Sequence, residues 1–183
     1  MDFNCPGYYI EKTPEASVRD TIKLVEYIQA LPLLHGDEPL VYPIITPRFA
    51  LSCSDKLLAD LGKYAASLPH VSIQTHISEN KRETEDAVRR FGESYTEVYD
   101  QYGLLRNNTI LGHGVWLTEE EMQLIAKRGA GVAHCPTSNF YLSSGMAKVG
   151  LMLDYGVKVC TAIWSRWRLE RGSLIVVYAM LFS

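Results

Sequence analysis

The amino-acid sequence predicts an α/β fold in which parallel strands alternate with helices. Two observations support this class. Strand-like and helix-like stretches alternate along most of the 183-residue chain, and polar residues able to do chemistry come directly after several of the strand candidates. Parallel strands joined by helical crossovers are the economical arrangement for such a sequence, either as an open doubly wound sheet or as part of a (β/α)8 barrel. Because no Gly-x-Gly-x-x-Gly loop follows a strand candidate, dinucleotide binding is disfavoured.

Five strand candidates follow from short aliphatic and β-branched runs that end at turn residues. In the second candidate, alternation places Ser72, Gln74 and His76 on one face of the strand and the apolar side chains between them on the other. In chain order the candidates cover residues 40–46, 71–77, 109–113, 130–134 and 157–161.

Helices are predicted between the strands from their capping residues. Thr13 followed by Pro14 is typical of a helix start, and Ser54 can cap the next helix. Thr118 and Glu121 have the spacing of a capping box. The first predicted helix begins at residues 13–14 and has an apolar stripe over 18–28, and the second begins at Ser54 with Leu57, Leu58, Leu61 and Ala65 on its buried side. A third, polar helical region covers residues 81–105 and breaks near Gly92. The last two predicted helices run from Thr118 to Gly129 and over residues 146–155, before Gly156.

The polar helix after residue 80 carries a dense run of charged side chains. We expect these side chains to form a solvated face without chemistry. They are Glu83, Glu85, Asp86, Arg89 and Arg90.

Residues 1–162 are expected to form a single incomplete barrel domain, and residues 163–183 a divergent tail of unknown structure. The tail departs from the alternation of strands and helices and ends in an uncharged apolar run. That run is far shorter than the ~20 residues needed to span a bilayer, so no membrane segment is expected.

The bulk composition limits the partners and the compartment. The net charge of −3 gives no reason to expect nucleic acid or a membrane surface as a partner. The N-terminal residues lack the basic and apolar segments of a signal peptide, and the four cysteines include no Cys-x-x-Cys pair. These observations predict a cytoplasmic protein with free thiols.

Three strand candidates end in a histidine. His76 ends the second strand and is followed three residues later by Glu79, while His113 and His134 end two further strands. A strand-end histidine beside a glutamate suits metal-assisted hydrolysis, because the histidine can hold zinc while the glutamate moves a proton to and from the zinc-bound water. His134 is expected either to shape the rim of the site or to be structural. The other two histidines are expected to be structural, namely His35 and His70.

Four motifs in this order and spacing resemble the guanine deaminase family of the amidohydrolase superfamily. The likeness runs from about residue 1 to residue 159, and Thr46-Pro47-Arg48-Phe49 is its most discriminating piece. The motifs cover residues 46–54, 74–80, 112–114 and 133–139.

The resemblance implies a zinc-dependent hydrolysis of guanine to xanthine and ammonia on a partial (β/α)8 barrel covering roughly strands 3 to 8. His76 matches a zinc ligand, Glu79 the catalytic acid and base, and His113 the catalytic histidine that orients the hydroxide. Arg48 matches the residue that holds the oxygen edge of guanine, and Phe49 the ring that stacks on it. His76 and Glu79 complete the set that borders the substrate. A guanidinium fork suits a carbonyl edge, and an aromatic ring suits the face of a purine.

The chain also departs from the family pattern. The family has a His-x-His pair on its first strand and an Asp after its eighth, and this sequence has neither motif in the matching places, since Asp154 falls on the preceding helix. Three of four metal ligands are therefore expected to be missing, and the chain alone is expected to be inactive. The alternatives are a non-catalytic isoform or fragment that pairs with full-length subunits, and an amidohydrolase acting on a related heterocycle. A family-type homodimer is a further expectation.

Overall fold

The computed structural model describes the backbone of residues 1–33, 39, 41–169 and 172–181, and the side chains of these residues up to 162. His35, which is expected to be structural, and Leu40, the first residue of the first strand candidate, lie outside the described residues.

A single six-stranded sheet organises the chain. Its strand order follows the sequence from β1 to β6. The first five strands are parallel and the sixth is antiparallel to the fifth. The strands are β1 (Ile44–Ile45), β2 (Ser72–Ile77), β3 (Thr109–His113), β4 (Gly131–His134), β5 (Lys158–Leu169) and β6 (Gly172–Leu181). The predicted α/β class with five parallel strands is confirmed. Which strands of a complete barrel these are stays a prediction, and the described residues before Ile44 contain a helix and no strand.

The helices begin and end largely where the capping residues indicate. Side chains of Thr13, Ser54 and Thr118 each accept a backbone N–H of the first turn. Gly92 and Gly129 end their helices with φ near +70°, which glycine adopts without strain. The helices are α1 (Pro14–Gln29), α2 (Asp55–Ser67), α3 (Lys81–Phe91), α4 (Tyr95–Gln101), α5 (Glu119–Arg128), α6 (Pro136–Tyr141) and α7 (Val149–Asp154), with a 3-10 turn at Ala50–Ser52.

Two short helices differ from the sequence prediction. The helix expected over residues 146–155 begins only at Val149, without a side-chain cap. The helix α6, which was not predicted, follows β4 directly. Pro136 occupies its first turn, where the missing N–H of proline costs no hydrogen bond.

The main core lies between one face of the sheet and the helices. Along β2 the burial alternates, so that Ile73, Thr75 and Ile77 are buried while His76 is only half-buried. The apolar strand residues join the side chains that α2 buries, which are the four predicted at Leu57, Leu58, Leu61 and Ala65. His76 therefore lies on the opposite face of the sheet, as the alternation predicts.

The C-terminal residues extend the sheet. The strand expected at residues 157–161 is confirmed but does not end there, because β5 continues to Leu169 and turns into β6. The predicted division at residue 162 stays a prediction, although the backbone of β5 runs straight across it. None of the described helices is long and apolar enough to cross a membrane.

Candidate active site

The candidate site forms where β2 and β3 end side by side. The parallel register pairs His76 with Gly112 and Ile77 with His113. As a result the rings of His76 and His113 stack, with their centroids 5.3 Å apart and their planes 27° apart. Two histidines that are 37 positions apart in the sequence thus meet at one edge of the sheet.

His76 is oriented by main-chain groups. Its backbone N–H and its Nδ1 both lie at hydrogen-bond distance from the carbonyl oxygen of Arg48, at 3.0 Å and 2.8 Å. Because a carbonyl can only accept, Nδ1 carries the proton and the lone pair of the neutral ring is on Nε2. Burial, together with the neighbouring His113, lowers the pKa of His76 to about 4. The ring is therefore neutral near pH 7, in the tautomer that a metal-binding histidine adopts when a carbonyl holds its other nitrogen.

The Tyr99 hydroxyl also holds the end of β2 in place. It donates to the carbonyl oxygen of His76 at 2.7 Å and accepts from the backbone N–H of Ala50 at 3.0 Å. It also accepts from the Thr75 hydroxyl at 2.8 Å. Tyr99 is fully buried. No sequence motif singled it out, and only its position in the apolar pattern of α4 indicates that it points inward.

His113 is buried and its backbone is strained. Its φ is +75°, and Ser78 at the end of the neighbouring strand has φ +47°. Non-glycine residues in this region cost of order 1–3 kcal/mol each and persist where the surrounding structure fixes them, often at functional sites. His113 Nδ1 lies 2.8 Å from Asn139 Oδ1 and 3.7 Å from Glu79 Oε1. The histidine thus stands between the proposed acid–base residue and an amide from α6.

An open cavity of about 340 Å³ brings the other predicted residues together. Arg48, Phe49, His76 and Glu79 all line it. Arg48 is exposed and Phe49 half-buried, so a guanidinium and an aromatic ring both border the opening. A cavity of this size suits a small planar ligand.

The described residues do not by themselves form a metal site. They contain no group of three or more His, Cys, Asp or Glu side chains placed to hold an ion, whereas zinc in proteins takes three or four such ligands. His76 has the right tautomer for one of them. Asp154 lies at the end of α7 and is exposed.

His134 ends β4 as predicted. Its Nδ1 is buried and makes no hydrogen bond within the part of the chain that the structure describes. Burial and the nearby His113 lower the pKa of His134. The two roles expected for it, shaping the rim of the site and a structural role, stay predictions.

The prediction that the charged side chains of α3 form a solvated face is wrong for Glu83 and Arg90, and their expected lack of chemistry stays a prediction. Glu83 lines the cavity and its Oε1 is buried. Arg90 donates to the carbonyl oxygens of Ala50 and Cys53 at 3.2 Å and 2.8 Å, and its guanidinium lies 4.1 Å from the centre of the Phe3 ring. The helix therefore turns two of its charged side chains inward: Arg90 contacts the segment that follows Phe49, and Glu83 accepts the backbone N–H of Glu79. The spacing Asn80-x-x-Glu83, which matches an N-cap and its third helical residue, is the signal that the sequence offered for Glu83.

Comparison with families of known proteins gives one match over most of the chain. Residues 1–165 match the model of the amidohydrolase family. The chain is 46% identical over 156 residues to a probable guanine deaminase of Schizosaccharomyces pombe, covering 84% of this chain and 29% of that protein. It is 43% identical over 162 residues to guanine deaminase of Mus musculus, covering 87% of this chain and 34% of that protein. The chain thus spans about a third of the length of these relatives.

Solved structures show the same likeness. Guanine deaminase from C. acetobutylicum, with guanine bound in its active site, superposes with a TM-score of 0.80 at 36% identity, over 88% of this chain and 37% of that one. Atrazine chlorohydrolase from Arthrobacter aurescens TC1, solved with zinc, superposes with a TM-score of 0.74 at 20% identity, over 86% of this chain and 33% of that one. The second likeness concerns the fold alone.

Proposed function

This chain belongs to the amidohydrolase family, and we propose that it contributes the guanine-binding and proton-transferring part of a guanine deaminase site. The observation that carries this proposal is the shared cavity of Arg48, Phe49, His76 and Glu79. These four residues come from the segment after β1, from β2 and from the segment after β2, and the sequence likeness assigns all four to one site. The relatives named guanine deaminase support guanine as the ligand, and a guanidinium and an aromatic ring line a cavity large enough for a small heterocycle.

The proposed reaction adds water across a C=N bond of the guanine ring and then releases ammonia from the same carbon. Arg48 donates to the oxygen edge of the base, and Phe49 stacks on its face. Glu79 accepts a proton from the attacking water and returns protons to the ring nitrogen and the departing amine, so the water oxygen ends on the carbon and the amine leaves as ammonia. His113, which is 3.7 Å from the Glu79 carboxylate, orients the nucleophile.

Zinc is the metal that the family likeness implies, and bound zinc would supply a water of lowered pKa. We propose His76 as one ligand. Because the described residues offer no complete ligand set, the remaining ligands are proposed to come from outside the described chain. The chain alone is accordingly proposed to be inactive, and a family-type dimer and a cytoplasmic location stay predictions. A non-catalytic isoform pairing with full-length subunits is the alternative assembly.

The test measures guanine binding and guanine hydrolysis separately. Isothermal titration of the purified chain with guanine gives the affinity, and the Arg48→Ala variant is expected to bind roughly tenfold or more weakly, because charge-assisted hydrogen bonds are lost. Arg89→Ala is the matched control, since Arg89 is exposed and its ion pair among the described residues is with Asp86. Unchanged affinity in Arg48→Ala would contradict guanine as the ligand and favour another heterocycle. Guanine-to-xanthine turnover by the chain alone, with zinc added, would contradict the proposal of an incomplete ligand set.

A further inference from the structure

Glu83, in the first turn of α3, contacts the main chain of Glu79. Its Oε2 accepts the backbone N–H of Glu79 at 3.2 Å. In the opposite direction, the Asn80 side chain accepts the backbone N–H of Glu83 at 2.9 Å. The first turn of α3 is therefore tied to the Glu79 loop by two hydrogen bonds of opposite direction.

Two other glutamates that cap described helices show what is particular to Glu83. In α4 the Glu97 carboxylate accepts the N–H of the N-cap residue Ser94 at 2.8 Å. In α5 the Glu121 carboxylate accepts the N–H of the N-cap residue Thr118 at 3.0 Å. Glu83 reaches one residue further back, past the N-cap Asn80, to the amide of Glu79. The same helix-start motif thus holds the residue proposed to move protons.

The surroundings of Glu83 also differ from those of an ordinary cap. Its Oε1 and the Tyr95 hydroxyl are both buried, and neither makes a hydrogen bond of good geometry among the residues described. Burial and the nearby Glu79 carboxylate raise the pKa of Glu83 to about 7, while the Tyr95 hydroxyl opposes the rise. For the exposed Glu97, hydrogen bonds to Ser94 lower the pKa. The other charged or titratable groups that line the cavity with Glu83 are Arg48, His76, Arg82 and Asp86.

We propose that Glu83 is a positioning residue that holds the Glu79 backbone so that its carboxylate faces His113. The loop needs such an anchor because Ser78, immediately before Glu79, is held at φ +47°. A neutral Glu83 can accept the Glu79 N–H without placing a second negative charge beside the Glu79 carboxylate. Its protonated Oε1 then has a hydrogen to donate to the Tyr95 oxygen. This assignment rests on the proposed function, since it gives Glu79 its role.

The test compares Glu83→Ala and Glu83→Gln with the matched variants Glu97→Ala and Glu97→Gln. Both glutamates cap a helix, but only Glu83 touches the Glu79 amide. Amide hydrogen exchange, measured by NMR on the folded chain, is expected to be at least about tenfold faster at Glu79 in Glu83→Ala. Glu83→Gln keeps an accepting oxygen and is expected to stay within about threefold of the unchanged chain. The Glu97 variants are expected to change exchange at Ser94 and leave Glu79 unaffected.

Kinetics separate positioning from a purely structural cap. In the assembly that hydrolyses guanine, Glu83→Ala is expected to lower kcat by about tenfold or more with KM within about twofold, because a misplaced catalytic group slows the chemical step more than binding. Glu83→Gln is expected to restore most of kcat. Glu97→Ala is expected to lower the melting temperature, because the capping box of α4 is lost, while keeping kcat.

Two results would overturn the assignment: unchanged exchange of the Glu79 amide in Glu83→Ala, or an equal loss of kcat in Glu97→Ala. Absence of guanine turnover in every assembly, including the one that contains the unchanged chain, would count against the proposed function alone. The exchange measurement needs no turnover and still decides whether Glu83 holds Glu79. If Glu83→Ala does not fold, the comparison is made on Glu83→Gln, for which exchange more than about tenfold faster at Glu79 would overturn the assignment.

Discussion

Replacing Glu83 by glutamine should stabilise the protein, and the size of the gain should depend on pH. The pKa of Glu83 is about 7 in the folded chain against a reference value of 4.5. The difference of 7 − 4.5 = 2.5 corresponds, at 1.36 kcal/mol for each unit, to about 3 kcal/mol. Burying the charged form of the Glu83 carboxyl costs free energy. Glutamine is uncharged and avoids that cost, and it keeps an oxygen that can accept the Glu79 N–H.

The sign follows from where the proton is bound. Below the unfolded pKa near 4.5, Glu83 is protonated in both states, so the unchanged chain and Glu83→Gln should have similar free energies of unfolding. Between 4.5 and about 7 the folded chain holds a proton that the unfolded chain releases. The unchanged chain therefore loses stability relative to the variant as the pH rises, and the loss is complete above the folded pKa.

Urea unfolding followed by circular dichroism, at pH values from about 4 to about 8.5, measures this difference directly. Glu85→Gln is the matched control, because the Glu85 side chain is 56% exposed on the same helix and its replacement should shift stability little and equally at every pH. A gap between Glu83→Gln and the unchanged chain that stays constant across the range would refute the reasoning. So would a variant that is less stable at high pH.

Two further pairs of substitutions test the close packing of helices and the hydrogen bonds of a buried hydroxyl. Gly62→Ala should lower the free energy of unfolding by at least about 3 kcal/mol, because an added Cβ would lie 1.8 Å from the carbonyl oxygen of Tyr102. Gly150→Ala should instead stabilise α7 by about 0.5–1 kcal/mol, because nothing lies within 4 Å of its Cβ position. Both are measured by urea unfolding, and equal effects would contradict the close approach. Tyr99→Phe should cost about 2–4 kcal/mol, because its buried hydroxyl serves three partners. Tyr95→Phe should cost clearly less, since that hydroxyl faces the Glu83 carboxyl without the three hydrogen bonds that hold Tyr99, and the reverse order of melting temperatures would contradict the assignment.

The features that the sequence predicted well are those with local causes. Ser54 and Thr118 start helices because their side chains cap the first turn, whatever the rest of the fold does. The alternation in β2 placed His76 on one face of the sheet and Ile73 on the other, since a strand has a strict period of two. That periodicity, together with the family likeness, was enough to place His76 near Glu79.

The features that the sequence did not predict depend on contacts between distant segments. Arg90 looks like any charge on a polar helix until the segment after Phe49 folds against it and offers its carbonyl groups. Glu83 lies next to Tyr95, which α4 brings to it. The spacing from Asn80 to Glu83 indicates a helix start but not these contacts between distant segments, so a run of five charged residues was assigned to solvent although two of them point inward.

The predicted site residues are held mainly by groups other than a metal. One carbonyl, that of Arg48, accepts both N–H groups of His76, and Tyr99 fixes the carbonyl of His76 itself. Glu83 holds the Glu79 amide in the same way. All of these contacts lie within residues 48–99, so hydrogen bonds within this segment hold the main chain around His76 and Glu79 in place. If the proposed function is correct, guanine affinity and guanine turnover should be separable: affinity would depend on Arg48 and Phe49, and turnover would also require metal ligands that the described residues do not supply.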